Sequence, residues 1–210
     1  MKVLNVTNGD YFNEYFLKNS QEYAVPFREA MMDGVTCKNI FSKEFIKLRS
    51  RAVKEAEYVF KMEVCEYLKD ESISELHLWF GKDTFCQMNL LTLLAYLEQI
   101  GFKGKVLLNY IDDENFSVID EKIPVTLGIY EKTYEEVLIL KQKPCDIGVL
   151  NAEAIELYFD YLSSEGALAR TVKENQHMRK NKLIGLILEK SRKYGLSDLQ
   201  AEKLIDKYVK

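Results

Sequence analysis

The 210-residue sequence predicts an α/β fold: an open, mainly parallel sheet flanked by helices, followed by a helical C-terminal unit. Three observations predict it. Short β-branched or apolar runs alternate with helical patterns over the first 115 residues, turn signals punctuate the alternation, and the last third shows only helical spacing.

The first run, "KVLNVT", reads as a strand that breaks at Asn8-Gly9-Asp10. "DYFNEYFLKN" then reads as a helix, with Phe12, Tyr15 and Phe16 at i, i+3 and i+4. "EYAVPF" is a short strand closed by Pro26, and "REAMMDGVT" a loop with Asp33-Gly34 as its turn. From Ser42 to about Lys69 the pattern predicts one long helix, with Phe45, Leu48, Ala52, Ala56 and Val59 on one stripe and Arg49 and Arg51 on a solvated face. "ELHLWF" is a buried strand. "GKDTFCQMNLLTLLAYLEQIG" is the clearest helix, its stripe formed by Leu90, Leu93, Leu94 and Leu97 and its end marked by Gly101. "KVLLNYID" is another buried strand, and "KIPVTLGIY" adds one at an edge, because Pro124 cannot donate to a central ladder.

Beyond Lys143 the spacing is helical in "NAEAIELYFDYL", "GALARTVKENQHM", "KLIGLILEKSRKYG" and "SDLQAEKLIDKYV". A boundary is expected between Pro144 and Val149, dividing a 1–145 α/β domain of Rossmann-like type from a 146–210 helical extension.

Composition narrows the function classes. With 47% apolar and 30% charged residues, three Pro and ten Gly, the chain has an ordinary globular make-up. No apolar run is long enough to span a bilayer and no leader pattern opens the chain, so a cytoplasmic protein without membrane association is expected. The net charge of −4 argues against a dedicated nucleic-acid surface over the whole chain. Cys37, Cys65, Cys86 and Cys145 form no C-x-x-C pair, which points to small core residues rather than to zinc or redox chemistry. The two histidines, His77 and His177, are far apart, and His77 lies in a strand pattern that favours a hydrogen-bonded structural role. No Ser-His-Asp or Cys-His arrangement stands out, and no complete catalytic motif names a reaction.

In open parallel sheets ligands bind beyond the carboxyl ends of the strands. The polar residues concentrate there: Asn8-Gly9-Asp10 after the first strand, Arg28-Glu29 after the second, Lys82-Asp83-Thr84 after the third, and Asn109 through Asp112-Asp113 at the fourth. Each has a local explanation as well. Gly9 supplies a turn with positive φ, and Asp10 caps the helix that follows. Thr84-x-x-Gln87 fits a capping box, which leaves Asp83 either solvated or facing a cleft. Trp79 serves the core or a stacking platform, and Arg28 either pairs with Glu29, Asp10 or Asp83 or clamps an anion.

"VTNGDYFNEYF", "VPFREAMMDGVT" followed by a long helix with "LRSRA", and "LHLWFGKDTFCQMNLLTLLAYL" followed by "VLLNYID" together resemble the bacterial family catalogued as domain of unknown function 1835, over roughly the first 115 residues. "GALART" resembles the helical extension that follows in such proteins. The resemblance implies an α/β fold and marks Asn8, Gly9, Asp10, Arg28, Asp33, Gly34, Arg51, Trp79 and Asp83, without supplying a reaction.

Two function classes result. In the first, Asn8, Gly9, Asp10, Arg28 and Asp83 bind a phosphorylated or nucleotide-like small molecule: Asp10 and Asp83 hold a divalent metal or a hydroxyl, and Arg28 neutralises the anion. The second is a regulatory or nucleic-acid-associated module built on the tail, where Lys and Arg outnumber Asp and Glu from Glu165 onward and Ser197-x-x-Gln200 marks a helix start after Gly195. The many Tyr and Phe leave room for a homo-oligomer interface.

Overall fold

The computed structural model describes residues 2–50 and 63–209. Five strands form one sheet in the order β2-β1-β3-β4-β5. They are β1 (Lys2–Asn8), β2 (Ala24–Phe27), β3 (Ile73–Gly81), β4 (Lys105–Ile111) and β5 (Val118–Val125). The first four run parallel, and only β5 is antiparallel, paired to β4. The strands read from "KVLNVT", "ELHLWF" and "KVLLNYID" are therefore parallel neighbours, as their regular alternation with helices requires.

Helices cover both faces, so the interior strands read as continuous rather than alternating burial: Leu4 through Thr7 and Val106 through Ile111 are all buried. Helix α1 (Gly9–Asn19) and α2 (Lys43–Arg49) follow β1 and β2, and α3 (Glu63–Leu68) leads into β3. The predicted long helix is seen only at its two ends. Its centre, with Arg51, Ala52, Ala56 and Val59, lies outside the described residues. Helix α4 (Thr84–Gln99) is the central one; from Cys86 through Leu97 every residue is buried.

The edge strand differs from expectation. It begins at Val118, bulges at Lys122, whose φ is +56° and whose N–H bonds to the Asn109 side chain, and ends at Val125. Where "LGIY" was expected to continue the strand, the chain enters helix α5 (Tyr130–Tyr134) and a π-helical turn, Glu135–Ile139. The cause is tertiary. The Glu98 carboxylate of α4 accepts the N–H groups of Gly128, Tyr130 and Glu131, capping α5 from another element.

The remainder is helical, with no strand among the described residues: α6 (Ala152–Leu162), α7 (Ala167–Glu174), α8 (Lys180–Lys190), a 3-10 turn (Arg192–Tyr194) and α9 (Asp198–Tyr208). The Ser197–Gln200 capping box is formed. Tyr158, Leu168, Val172, Leu183, Ile187, Leu204 and Ile205 join one hydrophobic cluster with the strands and α4, so these helices pack on the α/β part as a cap.

Candidate functional site

The strand order changes direction between β1 and β3, because the chain first builds outward to β2 and then returns to the other side of β1. At such a point the loops after the two central strands diverge and leave a crevice at their carboxyl ends. Here those loops are Asn8-Gly9-Asp10 and Gly81-Lys82-Asp83.

Gly9 has φ +76°, and a Cβ there would meet no other atom; glycine is required by the backbone turn, not by packing. The cap of α1 is Asn8 rather than Asp10, and its side chain makes no capping bond. Two other partners hold it. Asn8 Nδ2 donates to Cys86 Sγ at 2.8 Å, and Asn8 Oδ1 accepts from Asn89 Nδ2 at 2.9 Å. Asp10, one residue inside the helix, instead accepts from Arg28 Nε at 2.7 Å. Arg28 Nη1 also donates to Glu63 at 2.6 Å, so two carboxylates engage the guanidinium.

The helix after β3 also starts one residue earlier than the Thr84-x-x-Gln87 pattern implies. Asp83 is its cap, accepting the Cys86 N–H at 3.0 Å. Thr84 and Gln87 are released for other work: the Thr84 hydroxyl donates to the Ala154 carbonyl, while Gln87 Nε2 donates to the Gly81 carbonyl and its Oε1 accepts the Asn151 N–H at 2.8 Å. Both side chains fasten α6 and the end of β3 to α4.

Asp83 faces Asp113, from the loop after β4. The Asp83, Cys86 and Asp113 ligand atoms lie within 4.8 Å of one another. Cys86 Sγ reaches Asp113 Oδ1 at 3.6 Å. Glycines admit the carboxylates: a Cβ at Gly81 would collide with Asp113, and one at Gly195 would collide with Asp83. Although Asp113 as a residue is exposed, its carboxyl end is pressed into this corner. Burial of that end, and the Asp83 carboxylate beside it, push Asp113 up to about 8. Burial and the same two carboxylates hold Cys86 as a thiol well above its ordinary value, which excludes it as a ready nucleophile.

Asp83 and Asp113 open onto a cleft of about 460 Å³ with Lys82, Glu153, Arg192 and Lys193 at its rim, and Cys86 lies buried behind them. A pocket of similar size, about 490 Å³, lies around Ile73 and Gly104 at the amino ends of the strands, away from this chemistry. No family model, curated protein or solved structure matches the chain.

Of the residues expected to meet, Asp10 and Arg28 do so directly. Asp83 sits in the second group, whose cleft neither Asp10 nor Arg28 lines, and Asn8 links the groups through Cys86. Arg49 was expected on a solvated face, yet its side chain is only 8% exposed. It pairs with Glu29 at 3.2 Å and donates to the Ala30 and Asp33 carbonyls, because the loop after β2 folds back over the end of α2. Asp33 accepts from Tyr161 and Gln200, Gly34 turns at φ +82°, and Trp79 packs on Phe16 and donates to Asn5. His77 is held by Glu75 at 2.6 Å.

The reading of loops alone missed Asn89 and took Cys86 for a small core residue and Gln87 for a capping partner; all three sit on α4. Their signal was in the sequence: polar residues on a helix otherwise apolar all round must find partners inside. Asp113 was visible as part of Asp112-Asp113 but not distinguishable from a solvated turn.

The coupled pair makes stability depend on pH. An unfolded Asp113 titrates near 3.8, so between about 4 and 8 the folded chain keeps a proton that the unfolded chain has lost. The contribution of this pair is therefore full below pH 4 and declines as pH rises through 8. Asp113→Asn is expected to flatten that decline and to raise the melting temperature at pH 8 by about 2–4 °C. This corresponds to roughly 1 kcal/mol, reduced by solvent screening. Melting curves from pH 4 to 8 in chelator test it; an unchanged slope would show that Asp113 does not keep its proton above the ordinary carboxylate range.

Proposed function

We propose that this protein binds a phosphorylated or nucleotide-like small molecule at the carboxyl ends of its strands, with a divalent cation or a ligand hydroxyl held between Asp83 and Asp113. The observation that carries this reading is the two-carboxyl corner opening onto a cleft at the ends of β3 and β4. Two hard oxygen donors suit a divalent cation or a hydroxyl far better than a bare phosphate, which like charge would repel. Cations at the rim, Lys82, Arg192 and Lys193, suit the anionic end of the same molecule. Asn8 ties the turn at Gly9 to this corner through Cys86, while Arg28, held by Asp10 and Glu63, steadies the same turn rather than receiving the anion. Resemblance to domain of unknown function 1835 belongs to the same proposal, since Asn8, Gly9, Asp10, Arg28 and Asp83 are positions it marks. The alternative, a nucleic-acid module in the tail, is less favoured because Leu183, Ile187, Leu204 and Ile205 turn the apolar faces of α8 and α9 into the core.

Titration with Mn²⁺, followed by thermal shift and by loss of the free-ion paramagnetic signal, tests the cation arm. Asp83→Asn keeps the helix cap, since Asn caps about as well as Asp. It is expected to weaken Mn²⁺ binding by about tenfold or more, equivalent to at least ~1.4 kcal/mol. Asp113→Asn should do the same, and Asp10→Asn should leave it unchanged. Wild-type affinity in both Asp83→Asn and Asp113→Asn would refute the cation arm.

A further inference from the structure

Among the described residues many lysines pair with an acid, as Lys2, Lys38, Lys82, Lys180 and Lys193 do. Others do not, and three of these, Lys141, Lys203 and Lys207, lie together. They line a single pocket of about 260 Å³ between the Asp33-Gly34 turn and helices α6 and α9, and none forms an ion pair among the described residues.

The placement of Lys141 is unfavourable on its own terms. Its backbone is left-handed, φ +55°, a conformation that side chains other than glycine seldom adopt. Its Nζ donates to the hydroxyl of fully buried Tyr158 at 2.6 Å. Burial, followed by the nearby Arg49 charge, lowers its pKa. Although the residue as a whole is exposed, its ammonium end is turned toward Tyr158 and the Arg49 charge, and no carboxylate among the described residues pairs with it.

The one acid on the wall, Asp33, is already occupied: Oδ1 accepts from the Tyr161 hydroxyl at 3.0 Å and Oδ2 from Gln200 Nε2 at 2.9 Å. It fixes the turn rather than neutralising the lysines. The pocket's lining is cationic and apolar, and Asp33 is its one carboxylate among the described residues. Several ammonium groups around one small cavity act as point charges with rotatable donors, and a doubly charged tetrahedral oxyanion balances more of that charge than a single carboxylate does.

We infer that this pocket, formed where α6 and α9 close over the Asp33-Gly34 turn, binds the phosphate group of a small molecule through Lys141, Lys203 and Lys207. The site is separate from the carboxylate cleft and does not depend on the reading given to that cleft.

Inorganic phosphate and pyrophosphate, with chelator present, are the probes, compared with sodium chloride at equal ionic strength by thermal shift and calorimetry on the full chain. Phosphate is expected to raise the melting temperature above the chloride control, and pyrophosphate to bind more tightly. Lys141→Gln/Lys203→Gln/Lys207→Gln is expected to lose about tenfold or more in affinity, while Lys43→Gln/Lys122→Gln/Lys182→Gln, with the same net charge, keeps wild-type binding. Single Lys203→Gln and Lys207→Gln changes, on exposed helix positions, serve if the triple variant does not fold, and each should weaken phosphate binding measurably. Lys82→Gln/Arg192→Gln/Lys193→Gln, at the rim of the carboxylate cleft, should keep the phosphate response; its loss there would move the anion to the cleft and overturn the assignment. An equal response to chloride, wild-type affinity in the pocket variants, or equal weakening in the control variant would also overturn it. So would an oligonucleotide that binds more tightly than pyrophosphate with a steep salt dependence.

Discussion

Arg49→Met is expected to destabilise the protein by about 3–5 kcal/mol, the cost typical of removing one partner from a buried ion pair. Glu29 is 1% and Arg49 8% exposed, so solvent cannot replace the guanidinium. The same change also strips the Asp33 carbonyl of its guanidinium donor and leaves the Ala30 carbonyl with the Asp33 N–H alone. At roughly 2–4 °C per kcal/mol for a chain of this size, the melting temperature should fall by about 6–20 °C. Glu29→Gln combined with Arg49→Met should recover part of the loss, because the charge stranded by the single change is gone. A fall of under 1 kcal/mol in Arg49→Met, by denaturant titration, would mean that the pair is solvated.

Asn89→Leu is expected to cost about 2–4 kcal/mol, for a different reason. The side chain is wholly buried on α4 and serves three partners: Asn8 Oδ1, the Glu29 carbonyl and the Met31 N–H. Leu matches its volume closely enough to leave no large cavity, so the loss is that of unpaired polar groups. Because these partners belong to the loops after β1 and β2, amide exchange at Met31 should accelerate far more than exchange in β3 or β4. Uniform acceleration would make Asn89 a general core residue rather than the tie between the two loops.

The strands and the long helices were legible because their signals are local. Leu90, Leu93, Leu94 and Leu97 state a helix within two turns, and "KVLLNYID" states a strand buried on both faces. Helix α5 was not legible, since its N–H groups are capped by Glu98, some thirty residues earlier in the chain. The cap of α1 was misplaced by two residues and that of α4 by one. Asp10 and Thr84 satisfy the capping pattern equally well in sequence, and only tertiary partners, Arg28 for one and the Ala154 carbonyl for the other, draw them away from it. For the candidate site, the turns were readable as turns. That Asp83 would face Asp113, and that Arg28 would be engaged by Asp10 and Glu63, depends on the side-by-side placement of β1, β2, β3 and β4, which no single segment encodes.

Both borders of the sheet are guarded, and exposed strand edges are where proteins recruit strands from one another. On one side β2 is only four residues long, and its Pro26 has no N–H to offer. On the other, β5 carries Asp120, Glu121 and Lys122, kinks at the Lys122 bulge and has Pro124 next to its end. Short length, charge, a kink and proline are the devices that stop one sheet from growing into the next. Lateral polymerisation through either border is thereby discouraged.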